Sequence, residues 1–87
     1  MKYKYLYIYQ DNNTVIQLYR SHENENIFIL DDGCDYPLIL DFSSNDNKQA
    51  LDDLNNGKKK TYALAKDRDG YVFEMVIYTS ANAAFGL

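Results

Sequence analysis

Apolar and polar positions alternate with period two along most of the chain, beginning with Tyr3, Tyr5, Tyr7 and Tyr9 on one side and Lys4, Leu6, Ile8 and Gln10 on the other. Successive side chains of a strand point to opposite faces, and aromatic and β-branched residues suit a pleated surface, so Tyr3 to Tyr9 is expected to be a strand. Asp11-Asn12-Asn13-Thr14 supplies residues that tolerate the left-handed backbone of a tight hairpin. Val15 to Arg20 returns, with Val15, Gln17 and Tyr19 opposed to Ile16, Leu18 and Arg20. After the polar loop Ser21 to Asn26, the run Ile27 to Leu30 is short, but its β-branched content and the turn residues Asp31-Asp32-Gly33 behind it favour a strand. Tyr36 to Phe42 puts Tyr36, Leu38, Leu40 and Phe42 on one face; Pro37, which cannot donate to a ladder, marks an edge or a strand start.

The period changes once. From Asn45 to Asn56 the apolar residues Ala50, Leu51 and Leu54 make a narrow helical stripe, Ser43 or Ser44 can cap its start, Asp46 suits its first turn, and Gly57 stands where a left-handed residue ends a helix. Thr61 to Ala65 and Tyr71 to Thr79 return to period two, joined by Lys66 to Gly70 with Gly70 as the left-handed turn residue. The last strand is apolar on both faces, which places it centrally. The order β-β-β-β-α-β-β predicts an α+β fold: an antiparallel sheet of five to six strands with one helix packed on one face. Residues 1–87 make one small domain, with 81–87 either a short docking turn or a frayed tail. One helix covers only part of a sheet, so part of the tyrosine-bearing face is expected to await a partner.

The 87 residues include a single cysteine, so no internal disulfide can form and stability must come from packing or oligomerisation. No stretch approaches the roughly 20 apolar residues of a membrane helix, and Met1-Lys2-Tyr3-Lys4-Tyr5 lacks the apolar core of a signal peptide. Nine asparagines, nine tyrosines and seven lysines against two arginines match codons poor in G and C, as in a low-GC bacterium or its phages. The expected setting is the cytoplasm of a bacterial host cell, away from membranes.

Charge is segregated along the chain. Residues 1–20 are net +2, residues 21–57 carry nine acids against Lys48 alone for a net of −8, and residues 58–70 are net +3. An acidic face built from Glu23, Glu25, Asp31, Asp32, Asp35, Asp46, Asp52 and Asp53 is expected to dock on the basic groove of a larger protein that normally holds nucleic acid. Solvated loops that keep a small protein soluble explain the same acids. The tyrosine stripe Tyr3, Tyr5, Tyr7 and Tyr9 either packs against the helix or a neighbouring strand, or forms a partner-binding or homodimer surface. Lys58-Lys59-Lys60 is the only basic cluster, so direct nucleic-acid binding is not expected.

Motifs for catalysis fail one after another. Asp67-Arg68-Asp69-Gly70 suggests a calcium loop, but aligned on an EF-hand it puts Ala65 and Val76 at two ligand positions, so a hairpin turn is the better reading. Asp31, Asp32 and Asp35 lack regular ligand spacing and would raise the pKa of the Cys34 thiol between them. His22 lies in a polar loop beside Glu23, without a nucleophile elbow, a phosphate-binding glycine loop or a second histidine. No catalytic residue, metal site or cofactor is expected.

Small size, acidic balance and an antiparallel sheet with one helix resemble, at the level of class alone, phage-encoded inhibitors such as anti-CRISPR, antirestriction and uracil-DNA glycosylase inhibitor proteins. No residue matches any one of them, so none is carried over. The resemblance implies a non-enzymatic, anti-defence nucleic-acid mimic that occludes a basic partner. The alternatives are a self-associating structural module, or a small-ligand binder at an oligomer interface where Tyr, Arg and Lys clamp a nucleotide signal.

Overall fold

A computed structural model describes residues 1–31 and 37–86; Asp32, Gly33, Cys34, Asp35, Tyr36 and Leu87 lie outside the described residues. Among the described residues six strands form where the period-two pattern predicts them: β1 Tyr5–Tyr9, β2 Val15–Arg20, β3 Ile27–Leu30, β4 Leu38–Asp41, β5 Lys60–Lys66 and β6 Val72–Tyr78. Each pairs antiparallel with the next in sequence, and β6 returns to β1 through Tyr7 and Tyr78, closing a barrel. The helix α1 (Lys48–Asn55) enters between β4 and β5.

Closure corrects the expected open sheet with a helix on one face. A closed sheet has an inside and an outside, and β6 is apolar on both because one face meets the core and the other joins an aromatic outer wall. The interior of a small barrel is filled by side chains. Leu6, Leu18, Phe28, Leu40, Phe42 and Ile77 are fully buried, and Phe28 meets Phe42 edge to face at 5.8 Å. The inward positions of β5 are all small, Thr61, Ala63 and Ala65, which makes room for those rings. Instead of lying across a sheet face, α1 inserts Ala50 and Leu54 into this same core.

The helix begins and ends on specific residues. A 3₁₀ turn, Asn45–Asn47, precedes α1, and the Ser44 hydroxyl accepts the Asp46 N–H at 3.2 Å as an N-cap. Past the other end, Gly57 takes φ +82° while the N–H groups of Gly57 and Lys58 donate to the carbonyls of Leu54 and Asp53. That is a Schellman motif, which needs a residue tolerant of positive φ.

The seam between β4 and β5 holds only two register pairs, Ile39 with Lys66 and Leu40 with Ala65. Beyond them the buried Asn47 amide takes over the ladder. It donates to the carbonyls of Asp41 and Leu64 at 2.9 and 3.0 Å and accepts the Leu64 N–H at 2.7 Å. At the β1–β2 hairpin, Asn12 and Asn13 adopt φ of 49° and 61°, the left-handed backbone expected of them. Of the 81–87 tail, the described residues 81–86 form a docked turn: α2 (Ala81–Ala84) is capped by the Ser80 hydroxyl and buries Ala84. No helix among the described residues is long and apolar enough to cross a membrane.

Candidate binding surface

Barrel closure decides where the tyrosines go. Leu6 and Ile8 take the inward positions of β1, so Tyr5, Tyr7 and Tyr9 stand on the outer wall. Tyr5 and Tyr9 are 45% and 44% exposed, Tyr7 is half-buried, and Tyr3 packs on the core edge with the Lys2 ammonium 5.8 Å from its ring centroid. The helical turn that packs beside β1 and its neighbours β2 and β6 is α2. The wall also includes Tyr19 and Tyr62, 56% and 59% exposed, which were not in the predicted stripe. The signal was present in the alternation of their own strands, but which face was outward depended on closure.

Register turns these side chains into rows. Lys60, Tyr78, Tyr7 and Gln17 are successive cross-strand neighbours over β5, β6, β1 and β2. Tyr5 and Tyr19, also cross-strand partners, meet edge to face with centroids 5.9 Å apart. At the other end of β1, Tyr9 meets Phe85, just after α2, edge to face at 6.5 Å. The Tyr9 hydroxyl accepts the Asn13 N–H at 3.2 Å, tying that ring to the hairpin.

Two open grooves flank this line of rings. One, of about 550 Å³, lies among Tyr9, Tyr78, Phe85, Lys59 and Lys60. The other, of about 480 Å³, lies among Tyr5, Tyr19, Lys4, Arg20 and His22, with Glu25 at its margin. Lys4, Arg20, Lys59 and Lys60 form no ion pair with another described residue, whereas Lys58 is engaged with Asp53 at 3.4 Å. Both grooves therefore combine aromatic rings with uncommitted positive charge.

The predicted acidic face is divided by the barrel. Alternate connections of an antiparallel barrel share an end, so the loop with the exposed Glu23 and Glu25 lies with the α1 segment and its exposed Asp46 and Asp52. The Phe42 N–H donating to the Asn26 carbonyl at 2.8 Å ties these two segments together. Asp31, also exposed, follows β3 at the opposite end, and Asp32 and Asp35 lie outside the described residues. Asp53 is turned inward to local work. Its carboxylate accepts from the Gln49 amide at 3.0 Å and the Thr61 hydroxyl at 2.9 Å, and these bonds, with the Lys58 ammonium, hold its pKa below the ordinary carboxylate value.

The remaining chemical candidates resolve into turns and loops. The Asp67 carboxylate accepts the N–H groups of Asp69 and Tyr71, each at 2.9 Å, which makes the Asp67–Gly70 segment a hairpin turn as expected. His22 is exposed at the margin of the second groove, and Cys34 lies outside the described residues. Among the described residues, no group of three or more His, Cys, Asp and Glu side chains is placed to hold a metal ion. Fold and surface together define a small closed antiparallel barrel with an aromatic outer wall. No protein-family model, curated protein or solved structure matches the chain.

Proposed function

We propose that this protein is a non-enzymatic binding module that recognises its partner through the tyrosine wall of β1, β2, β5 and β6. The carrying observation is that Tyr5, Tyr9, Tyr19 and Tyr62 stand exposed on the outside of a barrel whose interior is filled by its own side chains. Tyrosine offers large contact area and a hydroxyl at small entropic cost, as recognition surfaces require. The partner meets this wall in the cytoplasm of a bacterial host.

A second reading is favoured by a different observation: Glu23, Glu25, Asp46 and Asp52 are all exposed at one barrel end. On that reading the acidic end occludes the basic groove of a nucleic-acid-handling protein, in the manner of an anti-defence inhibitor. One capture experiment separates the two. Tagged protein is incubated with host lysate, and the bound protein and nucleic acid are compared for wild type, Tyr5→Ser/Tyr62→Ser and Asp46→Asn/Asp52→Asn. Loss of the bound species in the tyrosine variant alone supports the wall; loss in the acid variant alone overturns it in favour of the acidic end.

A further inference from the structure

We propose that the free edge of β6 is a self-pairing site, at which Tyr71 to Met75 of two copies run antiparallel about a two-fold axis at Phe73. The barrel closes through a single register pair between β1 and β6, Tyr7 with Tyr78, so Val72 to Ile77 have no pair with β1. The two strands part beyond it: a groove of about 380 Å³ opens between Ile8 and Tyr9 on one side and Glu74, Met75 and Val76 on the other. In contrast, β5 pairs with β6 along its whole length, from Lys60 with Tyr78 to Lys66 with Val72. The β5–β6 hairpin therefore has one covered edge and one open edge.

Hydrogen-bond alternation decides which groups the open edge offers. The Thr79 N–H donates to the Lys59 carbonyl at 3.1 Å and the Asp67 N–H to the Tyr71 carbonyl at 3.0 Å, and both bonds continue the β5–β6 register. Bonded positions alternate along an antiparallel ladder, so Phe73, Met75 and Ile77 bond to β5 while Val72, Glu74 and Val76 turn their N–H and C=O groups to the open side. Edge groups of this kind are a template for another strand. Tyr71, Val72 and Phe73 are exposed beside them, no proline interrupts the edge, and Glu74 is its one charge.

The edge is complementary to a second copy of itself in one register. Pairing Val72 with the second copy's Glu74, and the reverse, closes about four hydrogen bonds. It also sets Phe73 opposite Phe73 on the axis, with Tyr71 opposite Met75 on the same face. Charge favours this register. Lys66 is the β5 neighbour of Val72 on the outer face, so Lys66, Val72 and the second copy's Glu74 form one cross-strand row. Two strand spacings, about 9.6 Å, separate the Lys66 and Glu74 backbones, and both side chains are long enough to meet over Val72. Neither makes an ion pair with a described residue of its own copy. Centring the pairing on Glu74 instead opposes two like charges, which is unfavourable. Centring it on Met75 puts Tyr62 in place of Lys66 beside Glu74 and drives the second copy towards Tyr9 and the Tyr7–Tyr78 seam.

The test is sedimentation velocity from about 10 to 500 µM, the range in which a small, weak interface forms. Wild type is expected to pass from monomer to dimer mass across it. Lys66→Glu and Glu74→Lys, both at exposed positions, each put like charges in the row and should weaken association at least about fivefold. An equimolar mixture of these two variants should restore it, because each charge then meets its opposite across the copies and nowhere else. Tyr5→Ser, on the outer wall, should leave association unchanged. Circular dichroism checks that every variant is folded. Phe73→Cys/Cys34→Ser should oxidise to a crosslinked dimer, since Cα atoms directly opposed in a non-hydrogen-bonded pair lie about 4.5 Å apart, within disulfide reach; Tyr62→Cys/Cys34→Ser should not. A monomer at every concentration overturns the inference, as does a dimer that both charge reversals leave intact, a mixture no tighter than its components, or association lost with Tyr5→Ser. Equal crosslinking through positions 62 and 73 overturns it too.

Discussion

The Asn47 side chain and the Leu64 backbone bind each other twice, through Oδ1 accepting from N–H at 2.7 Å and Nδ2 donating to C=O at 3.0 Å. This is the pairing a neighbouring strand would offer, supplied by one side chain from the turn before α1. Asn47 is 2% exposed, and its third bond, to the Asp41 carbonyl, joins the end of β4 to the middle of β5. Asn47→Ala leaves two carbonyls and an N–H without these partners at a seam where Asn47 itself is buried. The expected cost is about 2–3 kcal/mol, read as a fall in thermal midpoint of about 10 °C or more. A fall no larger than that of the exposed Asn82→Ala would remove Asn47 from its place as the bridge.

Asp53 predicts an acid limb of the stability curve. Its pKa is lowered in the folded protein by the Gln49 and Thr61 hydrogen bonds and by Lys58. A carboxylate so depressed contributes stability above its unfolded value, and that contribution is lost as pH falls from the ordinary carboxylate range through the lower folded value. Thermal midpoints from pH 6 to pH 2 should therefore decline less steeply for Asp53→Asn than for wild type. Thr61→Val should lie between them. Parallel curves for all three would show that other carboxylates govern acid unfolding.

The secondary structure was legible because each strand keeps its alternation and α1 carries both its stop signals and its stripe. Closure was not. Period two assigns residues to two faces, but it does not say which face turns inward when β6 meets β1, and that meeting rests on one register pair, Tyr7 with Tyr78, far apart in sequence. The tyrosine stripe was therefore visible while its outward direction and its neighbours Tyr19 and Tyr62 were not. The acidic run was visible too, but neighbours in sequence across β3, such as Glu25 and Asp31, are carried to opposite barrel ends. Asn47 gave no warning at all, because nothing in a helix-start asparagine announces a bond to a residue 17 positions later.

The small residues of β5 set the bore of the barrel. Ala65 is fully buried and pairs with Leu40, whose side chain also points inward. Ala65→Leu adds three carbon atoms to a filled interior and is expected to destabilise by at least about 1–3 kcal/mol through overpacking. Lys66→Leu, one position along and facing outward, should cost far less. Denaturant titration of both variants checks the comparison; equal midpoints would mean that the interior has room the core packing does not indicate.

The hairpin that turns β1 into β2 depends on two consecutive left-handed residues. Asn12 and Asn13 occupy φ of 49° and 61°, and the Thr14 N–H closes the turn on the Asp11 carbonyl at 2.7 Å. Asn13→Gly keeps that backbone at no steric cost, whereas Asn13→Val forces a β-branched residue into it at about 1–2 kcal/mol. Chemical denaturation should rank Gly close to wild type and Val clearly below. The opposite order would place the turn in a different backbone conformation.

The wall should separate binding from stability. Tyr62 is 59% exposed and meets no other ring among the described residues, so Tyr62→Thr, which keeps a good strand former, should change stability by no more than about 0.5 kcal/mol. Tyr5 and Tyr19 form an edge-to-face pair across β1 and β2, and such pairs couple by about 0.5–1.5 kcal/mol beyond the area they bury. A double-mutant cycle with Tyr5→Thr and Tyr19→Thr should recover that coupling by denaturant unfolding. All of these variants should remain folded by circular dichroism, because the side chains that hold the barrel, Leu6 and Leu18, lie on the opposite face of the same two strands. If Tyr62→Thr unfolds the protein as readily as a core truncation, the outer wall is structural and the tyrosines are not free to serve a partner.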